Sequence, residues 1–289
     1  MRYDIAIVGS GPAGLEAAIT AKIRNKNILL IGDKNSSAKV YKAHEIKNYL
    51  GIPNIPGNEL AKAFLEHAQS MGVDITEDRI ASIYAMGSYF MLQGGNENYE
   101  ADALILATGV VNAKPIEGEE EYLGKGVSYC ATCDAALYRG KKAVVIGYSP
   151  KEEAEADFLA EGCEKVYYIP QYKDEVHVSD KVEVLSGKPV RIVGDRFVTG
   201  LVIDSWEEEI EADGVFVLRE AISPGQLVPG LETKGAHVVV DRKMATNIKG
   251  CFACGDITGE PYQYIKSAGE GNVAALSAVG YLTEVKRNG

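Results

Sequence analysis

Two cysteines separated by two residues, in Tyr129-Cys130-Ala-Thr-Cys133-Asp134, are the residues of this chain best placed for chemistry. That spacing suits either a reversible disulfide or half of a zinc site. Zinc takes about four ligands, and the rest of the chain offers no matching pair. Cys251 and Cys254 lie in a segment that reads as a strand, where positions i and i+3 point to opposite faces. The four histidines, His44, His67, His177 and His237, stand apart. Core packing is the reading for Cys163, Cys251 and Cys254. Cys130 and Cys133 instead precede Ala135-Ala136-Leu137-Tyr138, a helical pattern. Thiols at a helix N-terminus have lowered pKa values and become good nucleophiles. A redox role is therefore favoured over a structural one, with no metal site expected.

The elements around such a pair must bring it electrons. Asp4-Ile-Ala-Ile-Val8 reads as a buried strand that runs into Gly9-Ser10-Gly11-Pro12-Ala13-Gly14. A helical stretch follows from Leu15 to about Arg24, then a second strand, Ile28–Ile31, ending at Gly32-Asp33. Strand, glycine turn, helix, strand and a later acidic residue form the setting of a dinucleotide fingerprint. Gly9 permits the tight turn, Gly11 lets backbone approach a pyrophosphate, and Gly14 lets helix and strand pack closely. The helix N-terminus then presents amides and positive potential to the phosphates. Asp33 lies two residues past the strand, and Gly32 stands where a ribose-binding carboxylate is expected.

The pattern recurs at Ala143-Val-Val-Ile146, Gly147-Tyr-Ser149-Pro150-Lys-Glu152, a helix to Ala160 and a strand over Lys165–Ile169. Here the phosphate loop is damaged. Ser149 replaces the second glycine, Glu152 the third, and Pro150 removes an amide donor. Glu152 and Glu153 place two carboxylates in the first helical turn, which favours the helix and opposes an anionic ligand. Residues 112–240 hold 14 Lys/Arg against 24 Asp/Glu, a net of −10, and the remainder of the chain nets −1. A stretch carrying nearly all the excess negative charge is a poor receptor for a phosphate-rich nucleotide.

The whole chain has 289 residues, 46% hydrophobic and 25% charged, with net charge −11. That is globular composition, too acidic for a nucleic-acid partner and without an apolar run long enough to span a membrane. The first strand is expected at Tyr3, leaving no room for a secretory leader. Five cysteines, an odd and low count, point to the reducing cytoplasm.

Four motifs in order, Gly9–Gly14, Ala107-Thr108-Gly109, Cys130–Asp134 and Gly255-Asp256 with Gln263–Ala268, resemble those of low-molecular-weight flavoprotein thioredoxin reductases along nearly the whole length. The resemblance implies FAD held by the two flanking segments, a disulfide on the inserted domain, and a homodimer. It extends the cofactor set to Asp33, Asn48, Ile80, Ala107, Thr108 and Gly109, and to Gly255, Asp256, Gln263 and Tyr264 near the start of the last helix. It implies that Cys133 faces the flavin, Cys130 attacks thioredoxin, and Asp134 handles the thiol protons; a helix cap is a compatible role for Asp134. Asp256, after the strand Cys251–Cys254, suits a carboxylate accepting a ribityl hydroxyl.

Two departures separate this chain from the usual pattern. Ala38-Lys-Val-Tyr-Lys42 stands where the family has Gly-Gly-Gln, and the pyridine-nucleotide glycines and basic run are missing. The chain is similar in both respects to a subgroup that takes electrons from reduced ferredoxin. The expected architecture is α/β, with two Rossmann-like domains: an FAD domain of residues 1–111 and 241–289, interrupted by a disulfide domain, 112–240, resembling a degenerate NADPH domain. Val111-Asn112-Ala113-Lys114 and Asp241-Arg242-Lys243 read as paired hinges. Residues 22–47, with Lys22, Arg24, Lys26, Lys34, Lys39, Lys42 and Lys47 against Asp33 and Glu45, form a basic stretch suited to an acidic ferredoxin. The alternatives are the same enzyme fed by NADPH through an unorthodox pocket, or a flavin-bearing redox-responsive binding module that does not turn over. A binding module has no use for Cys130, Cys133 and Asp134 together.

Overall fold

An apolar run without alternation, such as Asp4-Ile-Ala-Ile-Val8, is buried on both faces only in a parallel sheet covered by helices. The computed structural model places it there. The structure describes residues 2–34, 38–41, 43–110, 115–205, 209–219 and 222–288, and at Ala38, Lys39, Cys133 and Asn288 the backbone alone. Arg2–Val8 (β1) leads through a turn into Pro12–Ile23 (α1) and Ile28–Ile31 (β2). Gly57–Ser70 (α2), Ile80–Ala85 (β3), Phe90–Gly94 (β4) and Asn98–Leu106 (β5) follow. β1 pairs in parallel with β2 on one side and with β5 on the other, from Arg2↔Glu100 to Val8↔Leu106. β3 and β4 extend the sheet antiparallel beyond β5. Ile5, Ala6 and Ile7 are wholly buried.

The chain then builds a second unit. Lys142–Gly147 (β6), Glu153–Ala160 (α3), Lys165–Pro170 (β7) and Gly214–Leu218 (β8) form the repeat read from the sequence. β6 lies between β7 and β8, all parallel, with Val182–Val184 outside β7 and Val127–Ser128 outside β8. A separate antiparallel sheet is made by Pro189–Gly194, Val198–Ile203 and Ile210–Glu211. Arg219, directly after β8, makes a two-pronged ion pair with the fully buried Glu119, with Nη2 to Oε2 at 2.8 Å. Glu119 also accepts the Ile116 N–H at 2.8 Å. The pair ties the segment before the disulfide to the end of β8.

On its return the chain adds Cys251–Ala253 (β9), parallel to the end of β5, and Tyr264–Asn288 (α4). α1 and α4 pack closely because both faces are small: Ala13, Ala17, Ala18 and Ala21 against Ala274, Ala275 and Ala278, all buried. By contacts, residues 1–112 with 223–289 form one unit and 113–222 the other. The second join therefore falls at 222/223, not at 240/241. The reason is local. Pro224–Leu227 forms a short helix that packs on β3. Asp241 sits inside the first unit, where its carboxylate accepts the N–H groups of Lys243 and Ala245 at 2.8 and 2.9 Å. Asp241-Arg242-Lys243 is a tight turn rather than a hinge, and Val111–Lys114 lies outside the described residues.

The buried pair sets a stability expectation. Glu119→Gln leaves the Arg219 charge buried without its counter-charge, which costs about 3–5 kcal/mol. Urea unfolding should show a lower midpoint with an unchanged slope, and an unchanged midpoint would remove the pair from the list of stabilising contacts.

Candidate functional site

The turn between β1 and α1 is shaped by what its glycines lack. Gly9 has φ +115°, and a Cβ there would lie 2.2 Å from the Ala107 carbonyl oxygen. A Cβ on Gly14 would lie 1.8 Å from the Gly9 carbonyl oxygen, so α1 could not close on the turn. Gly11 caps α1, and Pro12 opens it without wasting an amide. Ser10 is buried and donates to the Asp33 carbonyl at 2.8 Å. Its Oγ would be 2.4 Å from a Cβ on Gly32, which accounts for that glycine. The Asp33 side chain is exposed beyond the end of β2.

Three further segments meet this turn. Ala107 continues β5 by donating to the Val8 carbonyl at 2.8 Å, and Gly109 has φ +74°. Between them the Thr108 hydroxyl is buried with no hydrogen-bond partner. After β9, Gly255 has φ +85°, and its missing Cβ would lie 2.9 Å from that of Ala13. Gly271 of α4 approaches the Ala13 carbonyl as closely, with 2.1 Å for an added Cβ. A cradle of bare backbone and an unsatisfied buried hydroxyl suit a phosphate-linked dinucleotide.

Sequence reasoning missed the residues that fix Gly255-Asp256. Glu270 accepts the Gly255 N–H and the Thr258 hydroxyl, each at 2.9 Å. Lys266 pairs with Glu270 at 3.2 Å and donates to the carbonyls of Gly259 and Gly255 at 2.7 and 3.1 Å. Ser267 donates to Asp256 Oδ1 at 3.2 Å. The i,i+4 spacing of Lys266 and Glu270 was the available signal. Nearby, Asn48 donates to Gln263 Oε1 at 2.7 Å. A cleft of about 340 Å³ lies between residues 45–48 and 262–264 and brings Asn48, Gln263 and Tyr264 together. Ile80 opens β3 with a buried side chain and does not line this cleft. The expected basic stretch is only partly described. Lys34 pairs with Glu77 at 3.1 Å and Lys47 with Glu45 at 2.8 Å. Lys42 and the Lys39 side chain lie outside the description.

In the inserted unit Cys130 is buried and disulfide-bonded; Cys163, Cys251 and Cys254 are free, and the Cys133 side chain lies outside the description. Cys251 and Cys254 are core residues, as expected, and burial raises the Cys251 thiol pKa to about 12. The local helix corrects one expectation. It is a single turn, Ala131–Asp134, running into a 3-10 turn at Ala135–Tyr138, so Cys133 lies within it rather than ahead of it. Its first amide, of Ala131, donates to Glu155 Oε2 at 3.0 Å. A one-turn helix capped by a carboxylate offers little positive potential to a thiolate. Asp134 does not cap either; it accepts the Ser128 hydroxyl at 2.7 Å.

The second glycine loop is occupied by the protein's own carboxylate. Ser149 donates to Glu152 Oε2 through its N–H at 2.8 Å and its hydroxyl at 2.6 Å. Glu152 and Glu153 are both buried. Glu153 accepts the Tyr172 hydroxyl at 2.5 Å and the His177 N–H at 3.1 Å. Tyr168 fills the space beside Gly147, its hydroxyl 2.1 Å from where a Cβ would stand.

A family model described as pyridine nucleotide-disulphide oxidoreductase matches residues 3–271. The chain is 30% identical to a thioredoxin reductase of Listeria monocytogenes, over 99% of this chain and 96% of the relative. Its fold matches a crystal structure of a ferredoxin-flavin thioredoxin reductase from Clostridium acetobutylicum with TM-score 0.89, 52% identity and 99% coverage of both chains. A thioredoxin reductase from Gloeobacter violaceus matches with TM-score 0.79 and 30% identity, over 99% of this chain and 95% of the other.

The orphaned Thr108 hydroxyl separates cofactor binding from folding. Thr108→Val removes an unsatisfied buried polar group, so the cofactor-free protein should be as stable as wild type or more so. Affinity for flavin adenine dinucleotide should fall about tenfold, the worth of one hydrogen bond, in a fluorescence titration of the stripped protein. Equal affinities would mean the hydroxyl does not meet the cofactor.

Proposed function

This chain belongs to the pyridine nucleotide-disulphide oxidoreductases and, within them, to the thioredoxin reductases, and from that premise we propose that it binds FAD and reduces thioredoxin with electrons from reduced ferredoxin. It is a flavoprotein disulfide oxidoreductase. The observation that carries the choice of donor is the Glu152 carboxylate on the Ser149 amide and hydroxyl. A nicotinamide dinucleotide needs those donors for its pyrophosphate, and a buried carboxylate already holds them. Arg219, the cation following β8, is held by Glu119. The 52% identity to a ferredoxin-flavin thioredoxin reductase supports the same donor.

FAD would be held by the Gly9–Gly14 turn, Thr108, Asp256 and the Asn48–Gln263 cleft, and it supplies the means to take electrons singly and give them in pairs. The chain's own residues handle the sulfur chemistry. Cys133 receives the electron pair, and the enzyme disulfide opens with uptake of two protons, one at Cys133 and one at Asp134, leaving Cys130 as the thiolate. The Cys130 thiolate attacks the thioredoxin disulfide; one sulfur–sulfur bond forms, one breaks, and the departing thioredoxin thiolate takes a proton from Asp134. Cys133 then attacks the mixed disulfide, restoring the enzyme disulfide and releasing the second thioredoxin thiol. Two electrons and two protons pass to thioredoxin. The same kinship supports a homodimer and a cytoplasmic location; among the described residues no helix is long and apolar enough to cross a membrane.

Anaerobic mixing tests the donor. Reduced ferredoxin should bleach the flavin band within seconds, whereas NADPH and NADH should leave it unchanged for minutes. Rapid bleaching by micromolar NADPH would reject the ferredoxin reading in favour of an unorthodox nucleotide pocket. The roles of the sulfurs are tested separately. Cys130→Ser should leave a lone Cys133 thiolate that gives a long-wavelength charge-transfer band with the flavin, and Cys133→Ser should not. The reverse pattern would exchange the two assignments.

A further inference from the structure

We propose that Ser128 is a positioning residue for Asp134, holding its carboxyl group in one place through both of its proton states; the inference rests on the acid/base reading of Asp134 given above. Ser128 is fixed by the parallel pairing of Val127–Ser128 with β8, where it stands opposite Phe216. The residue is 4% exposed. The hydroxyl oxygen lies 2.7 Å from Asp134 Oδ2, 3.1 Å from the Cys130 amide nitrogen and 3.2 Å from the Cys130 carbonyl oxygen. The Cys130 N–H occupies one lone pair of the hydroxyl. A serine hydroxyl has one proton and a second lone pair, and it rotates to suit.

Those three contacts give the hydroxyl two complete arrangements. When Asp134 is ionised, the hydroxyl proton points at Oδ2. When Asp134 carries a proton, its own O–H donates to the free lone pair of Ser128, and the serine proton turns to the Cys130 carbonyl. Every donor keeps an acceptor, and the carboxyl group does not move. Proton transfer from Asp134 to the departing thioredoxin sulfur involves no electron and needs no other reactant, so the serine rotation is the whole adjustment. Ser128 also bonds the amide of the attacking cysteine, so one hydroxyl sets nucleophile and proton carrier in register. A misplaced catalytic group costs up to about 10²-fold in rate.

The test is a double-mutant cycle on the FAD-loaded enzyme: wild type, Ser128→Ala, Asp134→Asn and the double variant. Each is reduced stoichiometrically with dithionite under anaerobic conditions and mixed with oxidised thioredoxin, and flavin reoxidation is followed, so the result does not depend on the natural donor. Ser128→Ala should lower the limiting rate about 10- to 100-fold while the half-saturating thioredoxin concentration stays within about twofold. In the Asp134→Asn background the same change should cost less than about twofold, because Ser128 acts through that carboxylate. An equal loss in both backgrounds would make Ser128 a structural residue and overturn the proposal, as would a wild-type rate in Ser128→Ala. If Asp134→Asn alone reacts at the wild-type rate, the acid/base reading has failed and the proposal fails with it. Ser128→Gly carries the same expectations should the alanine variant not fold.

Discussion

The close approach of bare backbone at the start of α1 is the constraint on which the first unit depends. Gly9 must take a left-handed turn against Ala107, and Gly14 must let α1 rest on the Gly9 carbonyl. Gly255 and Gly271 bring the segment after β9 and the helix α4 onto Ala13 in the same way. A single Cβ at any of the four would lie 1.8–2.9 Å from a neighbouring atom and force a shift. The small-residue contact between α1 and α4 is the continuation of that approach, since alanine and glycine let the two helix backbones stay close, and Asn272 donates to the Thr20 hydroxyl across it at 2.9 Å. The geometry that packs the fold is therefore also the geometry that leaves a dinucleotide-shaped cradle. Under the proposed function, binding and folding would share one set of residues, with Thr108 an exception because its hydroxyl has no hydrogen-bond partner in the fold.

The two loops that follow β1 and β6 share a topology and differ in what meets the helix that comes after them. Both follow a buried parallel strand and precede a helix, and backbone topology is alike in the two. What differs is the charge presented to the helix N-terminus. In the first loop no acidic residue stands in the opening turn of α1. In the second, Glu152 returns to bond Ser149, and Glu153 gathers Tyr172 and the His177 amide. A carboxylate at that place satisfies the Ser149 amide, which a phosphate would otherwise use, and it does so at no cost in ordering a ligand.

Much of this was legible in the sequence because it rested on local pattern. Strand β2 and the end of α3 fall where the periodicity put them, and the glycine spacing located the first cradle. For the second loop the reading stopped at repulsion of an anion by Glu152 and Glu153; the structure adds capture of the Ser149 amide by Glu152. What the sequence concealed was chiefly long-range. Nothing near position 119 announces Arg219, a hundred residues on; over only six residues, Ser128 likewise gives no sign that it will face Asp134, because the turn between them is irregular. The Asp241 turn was mistaken for a hinge because a charged triplet between apolar runs looks the same in either role. Lys266 and Glu270 had the right spacing for an ion pair, yet only the turn after β9 reveals what that pair grips.

The acidic excess of the inserted unit takes on a different meaning once its partners are known. As a composition it suggested a diffuse negative field opposing nucleotides. Four of its carboxylates are spent inside the unit instead: Glu119 on Arg219 and the Ile116 amide, Glu152 on Ser149, Glu153 on Tyr172 and His177, and Glu155 on the first amide of the disulfide helix. Each accepts from at least one main-chain N–H, so their removal would expose donors that the fold cannot easily satisfy otherwise. Restoring a glycine in place of Glu152 would thus remove a cap from the fold as well as a repulsive charge from the loop. The carboxylate that would oppose a phosphate in this loop is thus tied to stability, because the same group completes the loop's own hydrogen bonding.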